Sequence, residues 1–163
     1  MLFITLGSQK FQFNRLLKAV DDLIEKKCIT MEVFAQTGYS DYIPKYYPYQ
    51  PFLDRKVFEE WEEKADMILT HGGTGAIIGA VKKGKKVIAV PRLKNYHEHV
   101  DNHQLQIIEQ FTELGFIIPC QEISELSDCL KNAEHFSVKK YLSNTDNIIA
   151  DIEKYLTINC MNE

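Results

Sequence analysis

The sequence lacks the long apolar runs that would place it among membrane-spanning or secreted proteins. None of its 163 residues lies in an apolar stretch near the ~20 residues that a membrane-spanning helix needs. The apolar run at residues 2–6 is too short for a secretory signal and has no basic residues before it. We therefore expect a cytoplasmic protein without an anchor of its own.

Cysteine and net positive charge are also scarce. The four cysteines show no Cys-x-x-Cys spacing and are too few for a disulfide scaffold, so we expect reduced thiols at Cys28, Cys120, Cys129 and Cys160. The net charge of −4 gives no electrostatic basis for binding nucleic acid. A hydrophobic content of 45% is ordinary for a soluble fold.

What the chain does contain is a repeated alternation of apolar runs and segments of helical periodicity. Strands are predicted at residues 2–6, 31–35, 66–69, 87–91 and 116–118, and helices at residues 13–27, 55–65, 74–83, 105–114, 123–133 and 146–156. This alternation indicates a doubly wound parallel sheet of the Rossmann-like α/β class, with ligands beyond the carboxyl ends of the strands. We expect residues 1–163 to form a single domain.

A glycine-rich turn, Thr-His-Gly-Gly-Thr-Gly at residues 70–75, separates a predicted strand from a predicted helix. Glycines let the backbone approach a ligand closely, and the helix N-terminus offers unpaired N–H groups and the positive end of its dipole. The turn matches neither the P-loop pattern GxxxxGK[ST] nor the dinucleotide pattern GxGxxG. It predicts an anion site, most often for phosphate, and a purely structural turn is the alternative.

Polar loops after the other predicted strands lie at the same edge of the sheet as this turn. They are residues 7–8, 37–38 and 92–104. Lysines 82, 83, 85 and 86 lie at the opposite edge, where we expect a solvated cluster rather than a phosphate site. In the helix at residues 55–65, the glutamates Glu59, Glu60, Glu62 and Glu63 are expected on the solvent side.

The loop Tyr-His-Glu-His-Val-Asp-Asn-His-Gln at residues 96–104 permits two interpretations. Its alternating ligands could converge on zinc. The pattern is close to the HxHxDH of binuclear metallohydrolases, but Asn102 stands where that motif has its last histidine. The Glu, Asn and Gln side chains of the same loop equally supply donors and acceptors for sugar hydroxyls. The ligands that the metal interpretation would use are His97, His99, Asp101 and His103.

Residues 39–52 are rich in tyrosine and proline, and two interpretations remain open here as well. The segment is either a loop that packs its own rings on the domain or an aromatic surface that contacts a partner or ligand.

Several of these segments, taken in order, resemble the C-terminal, donor-binding half of the GT-B glycosyltransferases of family 28. The matching segments are FITLGS at residues 3–8, QTGY at 36–39, THGGTG at 70–75, PR at 91–92 and EHVDNHQ at 98–104. The resemblance covers nearly all of the chain. It is greatest for stand-alone forms, which are catalytic subunits of two-part N-acetylglucosaminyltransferases and of bacterial capsule or exopolysaccharide glycosyltransferases.

The resemblance implies a UDP-sugar site to which each loop contributes. Residues 72–75 and 7–8 would hold the diphosphate, the backbone of residues 52–53 would pair with uracil, and residues 101, 103 and 104 would bind donor-sugar hydroxyls. Such enzymes invert the anomeric centre without a metal or other cofactor, because the helix N-terminus stabilises the departing diphosphate. The candidate substrate-binding residues are Gly7, Ser8, Thr37, Gly38, Phe52, Leu53, Gly72, Gly73, Thr74, Gly75, Glu98, Asp101, Asn102 and Gln104.

Two departures from the family pattern affect this site. The family usually has an acidic residue that contacts the ribose in the helix after the glycine turn, and this chain has Gly79 there. Either another group such as Glu98 takes the ribose, or the nucleotide binds more weakly. The histidine often found just past Ser8 is also absent, so the general base is His71, His99 or His103, or it belongs to a partner.

A GT-B enzyme works in a cleft between two domains, and this chain resembles one of them. The resemblance implies a membrane-attached, acceptor-binding partner that recruits the chain to the inner face of the membrane. The last helix and the tyrosine-rich segment are candidate docking surfaces.

The implied activity is transfer of a hexose from a UDP-sugar, of the UDP-galactose or UDP-glucose class, to a lipid-linked acceptor in capsular or exopolysaccharide synthesis. One alternative is a nucleotide-sugar-binding subunit without turnover. The other is a metal-dependent hydrolase that uses the loop at residues 97–103.

Overall fold

A parallel sheet forms the centre of the molecule. The computed structural model describes the backbone of residues 1–160, and it describes the side chains of these residues except 145, 146, 156 and 158–160. The strands are β1 (Leu2–Thr5), β2 (Val33–Gln36), β3 (Tyr49–Gln50), β4 (Met67–Thr70), β5 (Lys86–Ala89) and β6 (Ile118–Pro119). They pair in parallel in the order β3-β2-β1-β4-β5-β6, which confirms the predicted doubly wound, Rossmann-like fold.

The central strands are buried on both faces, which explains why the sequence shows continuous apolar runs rather than alternation. The register places Thr5, at the end of β1, beside Gln36 of β2 and Thr70 of β4. The loops after β1 and β4 therefore leave the sheet side by side, where the strand order changes direction. Doubly wound sheets bind their ligands at this position.

Helices cover both faces of the sheet. They are α1 (Asn14–Glu25), α2 (Arg55–Lys64), α3 (Thr74–Lys82), α4 (His103–Glu113) and α5 (Leu126–His135). A further helix, α6 (Thr145–Cys160), follows them, and short 3-10 turns lie at Lys94–Tyr96 and Ile123–Glu125. Side chains of α1 and α5 pack on one face with Leu2, Ile4 and Leu69. Side chains of α2, α3 and α4 pack on the other face with Phe3 and Ile68. Asp54 caps α2 as its sequence suggests, because its carboxylate accepts from the N–H groups of Lys56 and Val57.

The structure corrects the predicted elements at two places that matter for the site. The strand β3 lies inside the tyrosine-rich segment, where only a loop was expected, and it pairs with β2 between Pro48 and Pro51. Proline is tolerated there because β3 is an edge strand. The helix α4 begins at His103, two residues earlier than predicted, so His103 and Gln104 are held on a helix rather than in a loop.

The tyrosine-rich segment packs largely against α1. The buried carboxylate of Asp21 accepts from Tyr42 Oη at 2.8 Å, from Lys45 N–H at 2.9 Å and from Tyr46 N–H at 3.0 Å. The buried hydroxyl of Tyr47 donates to the carbonyl oxygen of Leu17 at 2.9 Å. Tyr39 and Phe52 remain about half exposed and stack edge to face. The loop interpretation therefore describes most of the segment, and its two ends still present aromatic surface.

The helix α6 exposes apolar side chains. Ile148, Ile149 and Ile152 are each about half exposed. Among the residues that the structure describes, no helix has the length and apolar character needed to cross a membrane. Cys28, Cys120 and Cys129 are free thiols, and the side chain of Cys160 lies outside the described residues.

The lysines at the opposite edge of the sheet are held by local contacts. Lys83 Nζ lies 2.7 Å from Glu62 Oε2, and Lys86 Nζ donates to the carbonyl oxygen of Glu134 at 2.7 Å. A cavity of about 660 Å³ lies here, lined by Met67, Lys83 and Lys86 among others. It is at the amino ends of β4 and β5, away from the glycine turn.

Candidate active site

The glycine turn joins β4 to α3 in a conformation that requires glycine. Gly72 has a φ of +77°, and a Cβ there would lie 2.9 Å from Cδ1 of Ile108 on α4. Gly73 is the N-cap of α3, no side chain caps the helix, and its first turn has no acidic residue. The N–H groups at the start of α3 are therefore available to an anion.

Two cavities adjoin this helix terminus and share Ser8 and Gly75. The first, of about 380 Å³, is lined by Gly7, Ser8, Gln9, His71, Gly72, Gly73, Thr74, Gly75, Ala76, His103, Gln104 and Ile107. The second, of about 460 Å³, is lined by Ser8, Gln36, Phe52, Leu53, Arg55, Phe58, Glu59, Glu62, Gly75 and Gly79. They form a site that extends from α4, past the N-terminus of α3, to the segment after β3.

His71 is wedged between two glycines of this site. A Cβ at Gly7 would lie 2.7 Å from His71 Cε1, and a Cβ at Gly73 would lie 2.4 Å from His71 Nε2. The Nδ1 atom lies 3.4 Å from the carbonyl oxygen of Thr5. Burial, together with the positive charge of Arg92, lowers the pKa of His71 to about 4, so the imidazole is neutral at pH 7. An enclosed ring with so low a pKa is poorly suited to act as a general base.

The low pKa of His71 predicts a loss of stability in mild acid. The unfolded chain takes up this proton near pH 6.5 and the folded chain only near pH 4. Neutral His71 therefore makes its full contribution to stability above pH 6.5. As the pH falls from 6.5 to 4, up to ~3 kcal/mol of the free energy of unfolding is lost. Urea unfolding at pH 7.5, 5.5 and 4.5 measures this loss.

The variant His71→Asn is expected to remove that component of the pH dependence. His135 is exposed near the end of α5, so His135→Asn serves as the control and should retain the wild-type dependence. Equal pH dependence in wild type and His71→Asn would show that His71 is not buried in its neutral form.

Arg92 braces the loop that follows β1. Its fully buried guanidinium donates from Nη2 to the carbonyl oxygens of Leu6 at 2.8 Å and Phe11 at 3.2 Å. Its backbone N–H donates to Oε1 of Gln104 at 2.9 Å. Within the described part of the chain, its Nε and Nη1 atoms have no hydrogen-bond partner. Burial lowers the pKa of Arg92 to about 10, which leaves a positive charge behind the Gly7 loop at neutral pH.

Asp101 and two histidines form a hydrogen-bonded cluster where α4 begins. Asp101 Oδ1 accepts from the N–H of His103 at 3.1 Å, is hydrogen-bonded to Nδ1 of His103, and lies 3.2 Å from Nδ1 of His99. The hydrogen bonds from His103 hold the pKa of Asp101 below its ordinary value. Potential ligand atoms of the three side chains lie within 4.8 Å of one another, so the cluster could hold a metal ion. His97 is not part of this cluster.

The three histidines proposed as bases have different surroundings. His103 is 46% exposed and lines the first cavity. His99 is largely buried, and its ring centroid lies 4.5 Å from that of Phe11. His71 is enclosed between Gly7 and Gly73. His103 is therefore the candidate that combines access to the cavity with a carboxylate that can orient its ring.

Most of the predicted substrate-binding residues line one of the two cavities, but Thr37 and Gly38 do not. A Cβ at Gly38, whose φ is +58°, would lie 2.8 Å from the carbonyl oxygen of Gly7. This packing supports the turn after β1 from behind. Asp101 also lies outside the lining and reaches the first cavity through His103.

Glu98 and Asn102 hold the loop before α4 and line neither cavity. Glu98 is buried, and its Oε1 accepts from Arg15 Nε at 2.7 Å. Its Oε2 accepts from the N–H of Leu93 at 3.0 Å. Asn102 Oδ1 accepts from the N–H of Lys94 at 2.9 Å. With both carboxylate oxygens engaged, Glu98 is not placed to replace a ribose-binding acid.

Glu62 is a site residue that the sequence interpretation missed. It was expected on the solvent side of α2, and this is wrong, because it is 5% exposed and lines the second cavity. The sequence did contain a signal for this burial. Glu62 lies four residues after Phe58, which packs in the core, and residues four apart lie on the same side of a helix. Gln36 was also missed, and its Oε1 accepts from the N–H of Leu53 at 3.1 Å.

Comparisons with known proteins give a family and a fold. The model of the glycosyltransferase family 28 C-terminal domain matches residues 1–156. The UDP-N-acetylglucosamine transferase subunit ALG13 of Candida glabrata is 38% identical over 71 residues, which are 43% of this chain and 34% of that protein. The aligned part thus spans about a third of the length of that curated relative.

Solved structures show the same fold at low sequence identity. An NMR structure of ALG13 is 18% identical with a TM-score of 0.58, covering 87% of this chain and 89% of that one. The crystal structure of CalG4, the calicheamicin glycosyltransferase, is 18% identical with a TM-score of 0.58, covering 80% of this chain and 34% of that one.

Proposed function

Because the chain belongs to the family of glycosyltransferase family 28 C-terminal domains, we propose that it is the catalytic, donor-binding subunit of a two-part inverting glycosyltransferase. Its donor is a UDP-sugar, and its acceptor is a lipid-linked saccharide held by a second subunit. The curated relative of Candida glabrata is itself named as a transferase subunit, which supports a two-part enzyme.

The observation that carries this proposal is the pair of cavities that adjoin at the uncapped N-terminus of α3. A nucleoside diphosphate sugar has a central diphosphate with a nucleoside on one side and a sugar on the other. We place the diphosphate at the shared residues Ser8 and Gly75. Phe52 and Leu53 then lie on the nucleoside side, and His103 and Gln104 lie on the sugar side.

Electrostatics favour a diphosphate at that position. The N–H groups of α3 carry the positive end of the helix dipole, which is worth most where an anion is partly shielded from water. The buried guanidinium of Arg92 adds a positive charge that pairs with no carboxylate among the salt bridges of the described residues. These groups would stabilise the charge that develops on UDP as the glycosidic bond breaks. The proposed reaction therefore requires no metal ion or other cofactor.

Residues of the first cavity would then act on the donor sugar. Gln104 uses its Oε1 atom on the Arg92 backbone, which leaves its Nε2 protons for sugar hydroxyls. His103 is hydrogen-bonded through Nδ1 to Asp101, which leaves Nε2 for the acceptor hydroxyl. An imidazole oriented by a carboxylate in this way is a common arrangement for a general base. Of the three histidines considered, we assign this role to His103.

The donor sugar and the product are finer parts of the proposal. A hexose from UDP-glucose or UDP-galactose, transferred in capsular or exopolysaccharide synthesis, remains our prediction from the family resemblance. The curated relative reported above is named for UDP-N-acetylglucosamine and not for these sugars. A direct comparison of UDP-glucose, UDP-galactose and UDP-N-acetylglucosamine as donors separates these possibilities.

The acceptor-binding partner would be attached to the membrane, and it would recruit this chain to the inner face from the cytoplasm. The apolar side chains that α6 exposes, among them Ile148 and Ile152, are one candidate contact. The exposed aromatic pair Tyr39 and Phe52 is the other.

The assignment of His103 predicts a loss of turnover in the complex of this chain with its partner. His103→Ala is expected to lower kcat about 100-fold or more, in the range usual for loss of a general base, while UDP still binds. Steady-state transfer assays and a UDP titration measure the two quantities. His135→Ala, at the exposed end of α5, is the matched control. Unchanged turnover in His103→Ala would exclude His103 as the base. A wild-type complex that binds UDP-sugars but shows no turnover would instead favour a non-catalytic, nucleotide-sugar-binding subunit.

A metal-dependent hydrolase is the second candidate, favoured only by the cluster of His99, Asp101 and His103. In that case elemental analysis should find a stoichiometric transition metal, and a chelator should abolish activity. The glycosyltransferase proposal predicts transfer that is unaffected by the chelator.

A further inference from the structure

Glu62 is an acidic residue of the second cavity whose role the family pattern does not assign. It lies on α2 in the stripe that packs toward α3, and it is 5% exposed. Burying a carboxylate is costly unless both of its oxygens find partners. Its retention among the apolar side chains of α2 therefore calls for a specific explanation.

Gly79 provides the space that this carboxylate occupies. A Cβ at Gly79 of α3 would lie 3.2 Å from Glu62 Oε1, closer than a side chain normally approaches. Glycine within a helix costs ~1 kcal/mol relative to alanine. The absence of a side chain at position 79 and the burial of Glu62 are therefore two parts of one arrangement.

The two oxygens of Glu62 have different surroundings. Oε2 lies 2.7 Å from Lys83 Nζ, and this contact fixes the orientation of the carboxylate. Oε1, which faces Gly79, receives no hydrogen bond from any residue that the structure describes. Since a carboxylate oxygen is an acceptor only, Oε1 requires a donor from outside this part of the chain or from solvent.

Oε1 belongs to a side chain that lines the second cavity, so a ligand bound there could supply this donor in place of solvent. The second cavity contains Glu62 and Gly79 together with Gly75 at one end and Phe52 and Leu53 at the other. A nucleotide with its diphosphate at Gly75 and its base at Phe52 must place its ribose between them. Vicinal ribose hydroxyls are donors of the kind that carboxylates bind in nucleotide-binding folds.

We propose that Glu62 accepts hydrogen bonds from the ribose hydroxyls of the nucleotide bound in this site. The proposal rests on the function proposed above and names the residue that selects a ribonucleotide. The other charged side chains of the cavity, Arg55 and Glu59, are solvent-exposed and pair with each other at 2.9 Å. Glu62 is thus the buried acid of this cavity, and it comes from α2 rather than from α3.

The test compares UDP with 2′,3′-dideoxy-UDP by calorimetric titration of the full chain. Wild type is expected to bind UDP about tenfold more tightly or better, because a hydrogen bond to a charged group is worth at least that much. Glu62→Ala is expected to bind both ligands with affinities within about twofold of each other. Glu60→Ala, which removes an exposed carboxylate of α2 that lines neither cavity, should keep the wild-type ratio of the two affinities.

The isosteric variant Glu62→Gln protects the test against misfolding of Glu62→Ala. A neutral acceptor forms a hydrogen bond about half as strong. The preference for UDP over 2′,3′-dideoxy-UDP should therefore fall to about threefold in Glu62→Gln. An unchanged ratio in both folded Glu62 variants would overturn the role of Glu62 while leaving the UDP site intact. Failure of wild type to bind UDP would instead overturn the proposed function, and the role of Glu62 with it.

Discussion

Replacing Gly75 by leucine is expected to weaken UDP binding about 100-fold or more, a loss of ~2.7 kcal/mol of binding free energy, without unfolding the protein. Gly75 lies in the first turn of α3 and lines both cavities. No atom lies within 4 Å of a Cβ built there, so a side chain would enter the space proposed for the diphosphate. Leucine also favours the helix by ~1 kcal/mol over glycine. Affinity and stability should therefore change in opposite directions.

A titration with UDP and a urea unfolding curve on the same preparation measure both effects. Gly84→Ala is the matched control. Gly84 has a φ of +69° just after α3 and lines neither cavity, so this variant should lose stability and keep its affinity for UDP. Affinity in Gly75→Leu within threefold of wild type would mean that the ligand does not approach the α3 N-terminus.

Replacing Gly7 by alanine is expected to lower the free energy of unfolding by ~2–4 kcal/mol, and to abolish UDP binding at the same time. Two costs add up here. Gly7 has a φ of +70°, which disfavours a Cβ, and that Cβ would lie 2.7 Å from Cε1 of His71. The imidazole also fills the space beside Gly73, and its burial leaves little free volume into which it could shift.

A double-mutant cycle separates the cost of a positive φ at alanine from the cost of the steric clash between the new Cβ and the His71 ring. In a His71→Ala background the ring is absent, and Gly7→Ala should then cost only the backbone part, ~1–2 kcal/mol. Urea unfolding of wild type, the two single variants and the double variant provides the four values. An equal cost of Gly7→Ala in both backgrounds would show that the imidazole does not determine the shape of this turn.

The sheet and the glycine turn could be predicted because their signals are local. The strands β1 and β4 are buried on both faces, and each therefore has three consecutive apolar residues before its final threonine. The turn stands directly between a strand and a helix, and the order of these elements determines where it lies in a doubly wound sheet. By contrast, β3 has only two residues, and its pairing depends on the neighbouring β2 rather than on its own sequence.

The sequence could not show which acidic residues are buried, because the environment of each one depends on elements that are distant in the chain. Glu62 is buried since Gly79 leaves room for it and Lys83 pairs with it, and both of these residues belong to the next helix and its end. Glu98 stands in a polar loop but is held by Arg15 of α1. The sequence therefore indicates which residues are charged, and only the packing of the helices shows which charged side chain lines a cavity.

The measurement that tests the central claim most directly is a calorimetric titration of the purified chain with UDP and with ADP, in buffer that contains a chelator. We expect micromolar to millimolar binding of UDP, a clear preference for UDP over ADP, and no effect of the chelator. Equal affinity for ADP would contradict a site that recognises uracil near Phe52 and Leu53. No binding of either nucleotide, by the chain alone or in complex with its partner, would contradict the assignment of the α3 N-terminus to a diphosphate.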